Sequence, residues 1–467
     1  MLRMRGLLLT GILLLAMHSP TGAAVMPMDL LQDPSPEEWK CLEQYSNVLT
    51  RSGFEERLKS VFDPTGSLLP FLKITDQEVQ VFGQTNAPSQ TNPLVTITFA
   101  PQPEASLNAE PPSSIPQVDS HSAPSPTPDT NSLFSRLISS FISASPLPAP
   151  ASQSTNGKAT PSGLPLAGVR IAIDPADIGG AWGSMEDRST LYPGFGLIQE
   201  GDLNLLVSKV LSKRLKELGA DVFVTREKSE PVCKLDITAV QQVVPQVLAH
   251  HRHILSKTFR SRTQNVRETS PMYQRIVAEV LLTKNLEARA RAEKTRAAMK
   301  PDITIVLQFD ATSARHRNNF PKINRNILFI SGAYTAKEIN SDPRQRLRLL
   351  TKLFHNVTPT EIRVAHAISK SLNEATGFPP VHYGNSWSTR SIAGDPYVVA
   401  RNLLLSREHD GPVVVTEPYF MNQEETLLRL ITGDYEETRL IAGKERISIY
   451  REYANAVADG LVEAYGK

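Results

Sequence analysis

Between residues 166 and 467, five short runs rich in Val, Ile and Leu alternate with helical text, and this alternation constrains the fold more than any other feature. The runs are Val169–Asp174 (VRIAID), Asp221–Thr225 (DVFVT), Ile303–Phe309 (ITIVLQF), Asn326–Ser331 (NILFIS) and Pro412–Glu417 (PVVVTE). Branched apolar runs this short read as strands buried on both faces. Helices are expected between and after them: from a cap at Asp202 to Leu218, then over 236–299, 336–355, 360–375 and 445–465. Gly219 supplies the stop signal of the first. The expected fold class is α/β, with a mixed, mostly parallel sheet flanked by helices. Ligands in such sheets gather where strand ends meet loops.

Ahead of this region the composition changes. Residues 101–165 hold 13 prolines and 15 serines but six charged side chains. Such a segment buries too little apolar surface to offset its ordering entropy, so an extended linker is expected, interrupted by one apolar stretch at 133–142. Residues 25–100 form a small module of helices and strands, opening at Pro36-Glu37-Glu38-Trp39 and running into strand-like text at 71–82. Its chemistry is not legible. Residues 1–24 read as a secretory signal: Arg3 and Arg5 precede the apolar stretch 6–17 and a small-residue exit at 21–24. An uncleaved anchor is the alternative, but a spanning helix needs about 20 apolar residues. No later segment is apolar enough to span a bilayer. An exported protein of the periplasm or extracellular space is expected.

Fifty Lys+Arg against 48 Asp+Glu leave a formal charge of +2, which gives no global drive toward nucleic acid. Two cysteines, Cys41 and Cys233, exclude a disulfide-dense scaffold and a four-thiolate zinc site. In an oxidising compartment they either pair or stay as free thiols. His250 and His253 sit at the spacing of one helix face, and the stretch 251–267 is basic without an acid. It reads as a solvated face or as an attraction for anionic polymers or lipid.

Three segments at strand ends carry acids: Asp174-Pro-Ala-Asp-Ile-Gly-Gly180, Gly196-Leu-Ile-Gln-Glu-Gly-Asp-Leu-Asn204 and Val415-Thr-Glu-Pro-Tyr-Phe-Met-Asn-Gln-Glu424. Singly, acids often cap turns. In order, and with Thr225-Arg226, Leu286-Glu-Ala-Arg-Ala290 and Leu307-Gln-Phe-Asp310, they resemble the zinc-dependent N-acetylmuramoyl-L-alanine amidases of bacterial cell-wall turnover. That family has Asp-Pro-Gly-His-Gly-Gly after a strand, a Glu before a helix, Ser-x-His-x-Asn, and Val-x-Glu-x-x-Phe-x-x-Asn. The likeness covers about 166–467, with a helical insertion near 230–285.

The departures matter most. The family holds zinc by His, Glu and His, with a second Glu as general base. The resemblance puts the first His at Asp177, the Glu at Glu200, the second His at Gln308 and the catalytic Glu at Glu417. Both imidazoles are replaced. Asp310 lies two residues after Gln308, on the same face of an extended strand. Asp177, Glu200 and Asp310 would make an oxygen-rich cluster suited to calcium, magnesium or manganese rather than zinc. Arg226, Arg289, Tyr383 and Asn422 are the expected substrate-binding residues. Two functions follow from the resemblance. One is a non-catalytic protein that binds peptidoglycan or its muropeptides, with no metal held. The other is an active amidase cutting the muramoyl–L-alanine amide through an unusual metal shell.

Limited proteolysis of the purified chain is expected to cut first within 101–165 and release a stable C-terminal fragment. A resistant tract would remove the linker reading.

Overall fold

A computed structural model of the chain describes residues 31–85, 92–102, 163–255, 260, 262–312, 320–381, 383–392 and 394–466. The expected signal, nearly all of the expected linker with its apolar stretch at 133–142, His316 and His382 lie outside the described residues. Among the described residues no helix is long and apolar enough to cross a membrane.

The first module holds α1 (Pro36–Lys40), α2 (Arg51–Arg57) and three antiparallel strands, β1 (Leu72–Ile74), β2 (Glu78–Val81) and β3 (Val95–Thr98). Ser35 and Glu38 cap α1 reciprocally, and the helix tightens after Lys40 into a 3-10 turn at Cys41–Tyr45. In the second region β4 (Arg170–Pro175) leads to the hairpin β5 (Ser189–Tyr192) and β6 (Gly196–Gln199), then α3 (Glu200–Glu217) and β7 (Asp221–Val224). The insertion carries α4 (Ile237–Gln241), α5 (Val244–His250), α6 (Pro271–Val280), a π-helical turn at Leu281–Leu286 and α7 (Glu287–Ala298). Then follow β8 (Ile303–Leu307), β9 (Leu328–Ser331), α8 (Ala336–Ser341), α9 (Pro343–Phe354), α10 (Val357–Thr376), β10 (Thr389–Ser391), β11 (Val398–Arg401), α11 (Leu404–Glu408), β12 (Val413–Thr416), α12 (Glu424–Ile431) and α13 (Ile449–Tyr465).

The central sheet has the strand order β10-β11-β9-β12-β8-β4-β7. Four neighbouring pairs are parallel, and the pairs β12–β9 and β10–β11 are antiparallel. It is the mixed, mostly parallel sheet that the apolar runs imply. Because β4, β8 and β12 run the same way, their C-terminal ends share one edge, where α3 also begins.

The helical stretch expected over 236–299 is present, divided into several helices because Pro245 and Pro271 each sit in the first turn of a new helix and cannot continue the one before. Two expectations give way here. The helix ends at His250, so His250 and His253 do not share a face. The helix after the hairpin begins at Glu200, not beyond Asp202. Asp202 instead accepts hydrogen bonds from the Gly180 amide (Oδ1, 3.1 Å) and the Ser229 hydroxyl. Cys41 is exposed, Cys233 is buried, and both are free thiols.

The first module packs onto the second region through one continuous apolar core. Phe54 stacks on Phe354 with ring centres 5.1 Å apart, and Arg346 lies 4.2 Å over the Phe71 ring. The amides of Ala333 and Tyr334 donate to the carbonyls of Val61 (2.7 Å) and Phe62 (2.8 Å). Gly332, at φ 153°, makes this approach possible, since a Cβ there would lie 2.7 Å from the Val61 oxygen. The insertion has a separate small core around Val240, Val247, Tyr273, Val277 and Leu281.

Because the module shares that core, a chain cut between 103 and 162 is expected to run as one particle on gel filtration. Phe54→Ala leaves a large hole in the contact and costs about 3–5 kcal/mol, so in the cut chain it should release the N-terminal fragment.

Candidate functional site

The turn after β4 sets the site. Asp177 adopts φ 53°, and the next residues press against the start of α3 so closely that a Cβ on Gly201 would lie 2.4 Å from the Gly179 nitrogen. Arg226 clamps this turn from beneath. Its guanidinium donates to the carbonyls of Pro175 (3.1 Å), Ala176 (3.3 Å), Asp177, Gly201 (3.1 Å) and Lys228 (2.8 Å). It is 3% exposed. Arg226 therefore holds the loop's backbone and does not face a ligand, which corrects its expected role. Asp174 is fully buried. Thr225 Oγ1 donates to it at 2.6 Å, and Arg291 and His409 stand 3.5 and 3.6 Å away. Burial works to raise its pKa, but those partners outweigh it and hold the group at about 2.

Two cations sit among the acids. Lys284 Nζ donates to Asp177 Oδ1 at 2.7 Å, and it comes from the π-helical turn of the insertion. Such wide turns recur at functional positions because they re-aim a side chain. Arg188, just before the hairpin, places Nε 3.7 Å from Asp177 Oδ2 and 3.4 Å from Glu200 Oε2. Glu200, the first residue of α3, also accepts from the Phe309 amide at 3.3 Å. Arg401 brings Nη1 4.0 Å from Glu417 Oε2 while its guanidinium lies 4.5 Å over the Phe329 ring and 5.6 Å from the Tyr383 ring.

The carboxyl groups respond in opposite directions. Burial works to raise the Asp177 pKa, but Lys284 and Arg188 hold it well below the usual carboxylate range. Burial pushes Glu200 well above that range, the charges on Asp177 and Glu417 add to the effect, and Arg188 opposes it. Glu417 is pushed up to about 8 by burial and by Asp310, against Arg401 and Arg188. Asp310 is raised by burial. Glu186, buried, accepts from the amides of Ile178 (2.7 Å) and Gly179 (3.1 Å), and burial with the Asp177 charge raises it.

Asp177, Glu200 and Glu417 are thus brought to one edge of the sheet. Gln308 joins them through its backbone, its amide donating to the Thr416 carbonyl at 3.0 Å. Asp310 is near but not by the route expected. The strand stops at Leu307, so residue alternation does not place its side chain. Backbone bonds to Tyr419 (3.0 Å) and Met421 (2.8 Å) do so. Asn422 is 6% exposed and pins Thr312 with both ends of its amide, so it braces the loop. Arg289, 8% exposed, faces Glu408 with Nε 3.7 Å from Oε2. Of the four expected ligand-binding residues only Tyr383 borders the acids. Arg188, Lys284, Arg401 and Glu186 were not expected. The turn signal Pro193-Gly194 would have revealed the hairpin that seats Arg188, whereas nothing local marks Lys284.

A zinc ion does not fit this set. There is no imidazole at Asp177 or Gln308, and Asp177 is already engaged by an ammonium. Among the described residues no three His, Cys, Asp or Glu side chains are grouped to hold a metal. A dication about 4 Å from each resident cation meets roughly 8 kcal/mol of repulsion apiece at an effective dielectric of 20. That rivals the roughly 10–16 kcal/mol of a complete structural zinc shell.

No protein-family model matches the chain, and no curated protein matches it. Among solved structures it is similar to the N-acetylmuramyl-L-alanine amidase of Mycobacterium abscessus, at 15% identity and TM-score 0.34, over 64% of this chain and 99% of that one. It is similar to the Mycobacterium smegmatis enzyme at 12% identity and TM-score 0.35, over 64% and 98%. The amidase AmiC2 of Nostoc punctiforme shares 10% identity at TM-score 0.31, over 63% and 96%.

Two measurements test the electrostatics. Lys284→Met strands a buried carboxylate and should cost about 3 kcal/mol in urea unfolding, and adding Asp177→Asn should recover most of it. Glu417 binds a proton on folding between its ordinary value of 4.5 and about 8, so its contribution falls as pH rises through that window. Glu417→Gln should flatten this part of the stability–pH curve.

Proposed function

We propose that the chain is an exported protein whose amidase-like domain binds peptidoglycan or its muropeptides without zinc hydrolysis. The observation that supports this best is Lys284 on Asp177, with Arg188 beside it. These cations give the acids their counter-charge from within the chain. A catalytic zinc needs three protein ligands and an open position for water. Here two of the ligands that the resemblance implies are a carboxylate bound by lysine and a carboxamide. The reading also accounts for the retention of Glu200 and Glu417, since a groove that only binds keeps its polar lining. The first module meets the sheet at Ala333 and Tyr334, after β9, whose C-terminal end lies at the edge opposite to that of β12.

Purified protein is expected to co-sediment with sacculi, to carry no stoichiometric zinc by elemental analysis, and to release no free stem peptide from muropeptides. Chelator-sensitive cleavage by the unmodified protein, lost in Glu417→Gln, would overturn this and establish an enzyme with an unusual metal shell. Asp177→His with Gln308→His is expected to gain little zinc affinity while Lys284 and Arg188 remain. Adding Lys284→Ala and Arg188→Ala should raise it at least about tenfold, as ligand affinity tracks local charge.

A further inference from the structure

We propose that the edge of the site receives a carboxylate group of the cell-wall peptide stem on the guanidinium forks of Arg188 and Arg401. This rests on the reading that the domain binds peptidoglycan, and it names the chemical group that is read.

Several arginines of this chain spend their donors within it. Arg226 donates to five main-chain carbonyls, Arg252 grips Glu268 with both terminal nitrogens (3.0 and 2.8 Å), and Arg451 does the same to Asp434 (2.8 and 3.0 Å, through Nε and Nη2). Arg188 and Arg401 differ. Arg188 comes no closer to its two acids than 3.4 and 3.7 Å, through Nε, and Arg401 comes no closer to Glu417 than 4.0 Å. Neither guanidinium makes a hydrogen bond among the described residues. Their side chains are 42% and 32% exposed, so both can be reached from solvent.

A guanidinium carries five donors in a planar fork that matches a carboxylate in two parallel bonds. Here two forks with unused donors stand at neighbouring acids of one edge, Arg188 at Asp177 and Glu200 and Arg401 at Glu417. Arg401 is held flat by the Phe329 and Tyr383 rings, so little further side-chain entropy is lost when it binds. Lys284 is already matched to Asp177, while burial pushes Glu200 and Glu417 up and so reduces their negative charge, which leaves the two guanidinium groups with positive charge for an incoming anion. In a wall peptide that anion is a carboxylate. The acids themselves suit the amide N–H groups that flank a carboxylate in a peptide.

The test compares N-acetylmuramoyl-L-alanyl-D-glutamate with its diamide by calorimetric titration of the full chain, alongside co-sedimentation with sacculi. The free acid is expected to bind at least about tenfold more tightly, the value of one charge-assisted hydrogen bond. Arg188→Gln with Arg401→Gln should bring the acid-to-amide ratio close to one, and Arg401→Lys should recover only part of it. Should Arg188→Gln fail to fold, Arg401→Gln alone decides, because that side chain is partly exposed and meets Glu417 only at 4.0 Å. Sacculi retained together with equal affinity for acid and amide would overturn the carboxylate site and leave the wall-binding reading standing. An acid preference without retention of sacculi would support the carboxylate site and remove the wall-binding reading. Loss of both would overturn both.

Discussion

The contact between Lys284 and Asp177 governs the organisation of the whole site edge. A carboxylate buried to 7% exposure at a left-handed backbone position stays charged only beside a cation. The ammonium at 2.7 Å supplies it, and it arrives from a different layer of the molecule, 107 positions further along the chain. The insertion thereby becomes part of the site: its own small core fixes the π-helical turn, and that turn aims Lys284. Arg226 completes the arrangement from below by tying the carbonyls of residues 175–177 to those of Gly201 and Lys228. Charge is balanced above the turn, and main chain is satisfied beneath it.

The acids around this pair keep opposite states for one physical reason. Asp177 has a cation in direct contact, while Glu200 and Glu417 are equally buried but meet guanidinium groups at longer range and lie near other acids. Burial disfavours charge in all of them, and only contact at hydrogen-bond distance outweighs it. The first module shores up the opposite edge of the sheet, through Phe54 on Phe354 and the strand-like bonds to residues 333 and 334. At the acidic edge, Arg188 and Arg401 remain partly exposed.

Much of the fold was legible because burial on both faces writes itself into short Val and Ile runs. VRIAID, DVFVT, ITIVLQF and PVVVTE all became strands of the central sheet. Less legible was what depends on a few backbone turns: the hairpin 189–199, the breaks at Pro245 and Pro271, and the stop of β8 at Leu307. Of the site, strand and helix ends marked the acidic segments, and the resemblance singled out Asp177, Glu200 and Glu417 within them. Arg226, Arg289 and Asn422 were found too, but their work is structural. A polar side chain beside a site has the same sequence signature whether it faces the groove or the main chain.

The sequence by itself determined the α/β class and the acids at the ends of buried strands, since each follows from residue type and local spacing. Only the tertiary structure decided what balances those acids. Lys284, Arg188 and Arg401 come from a π-helical turn, a loop and a far strand, and no local pattern records which cation meets which carboxylate. Charge pairing acts through space over a few ångströms, whereas sequence periodicity records only neighbours along the chain. The counter-charge of this site is therefore a property of the packed fold.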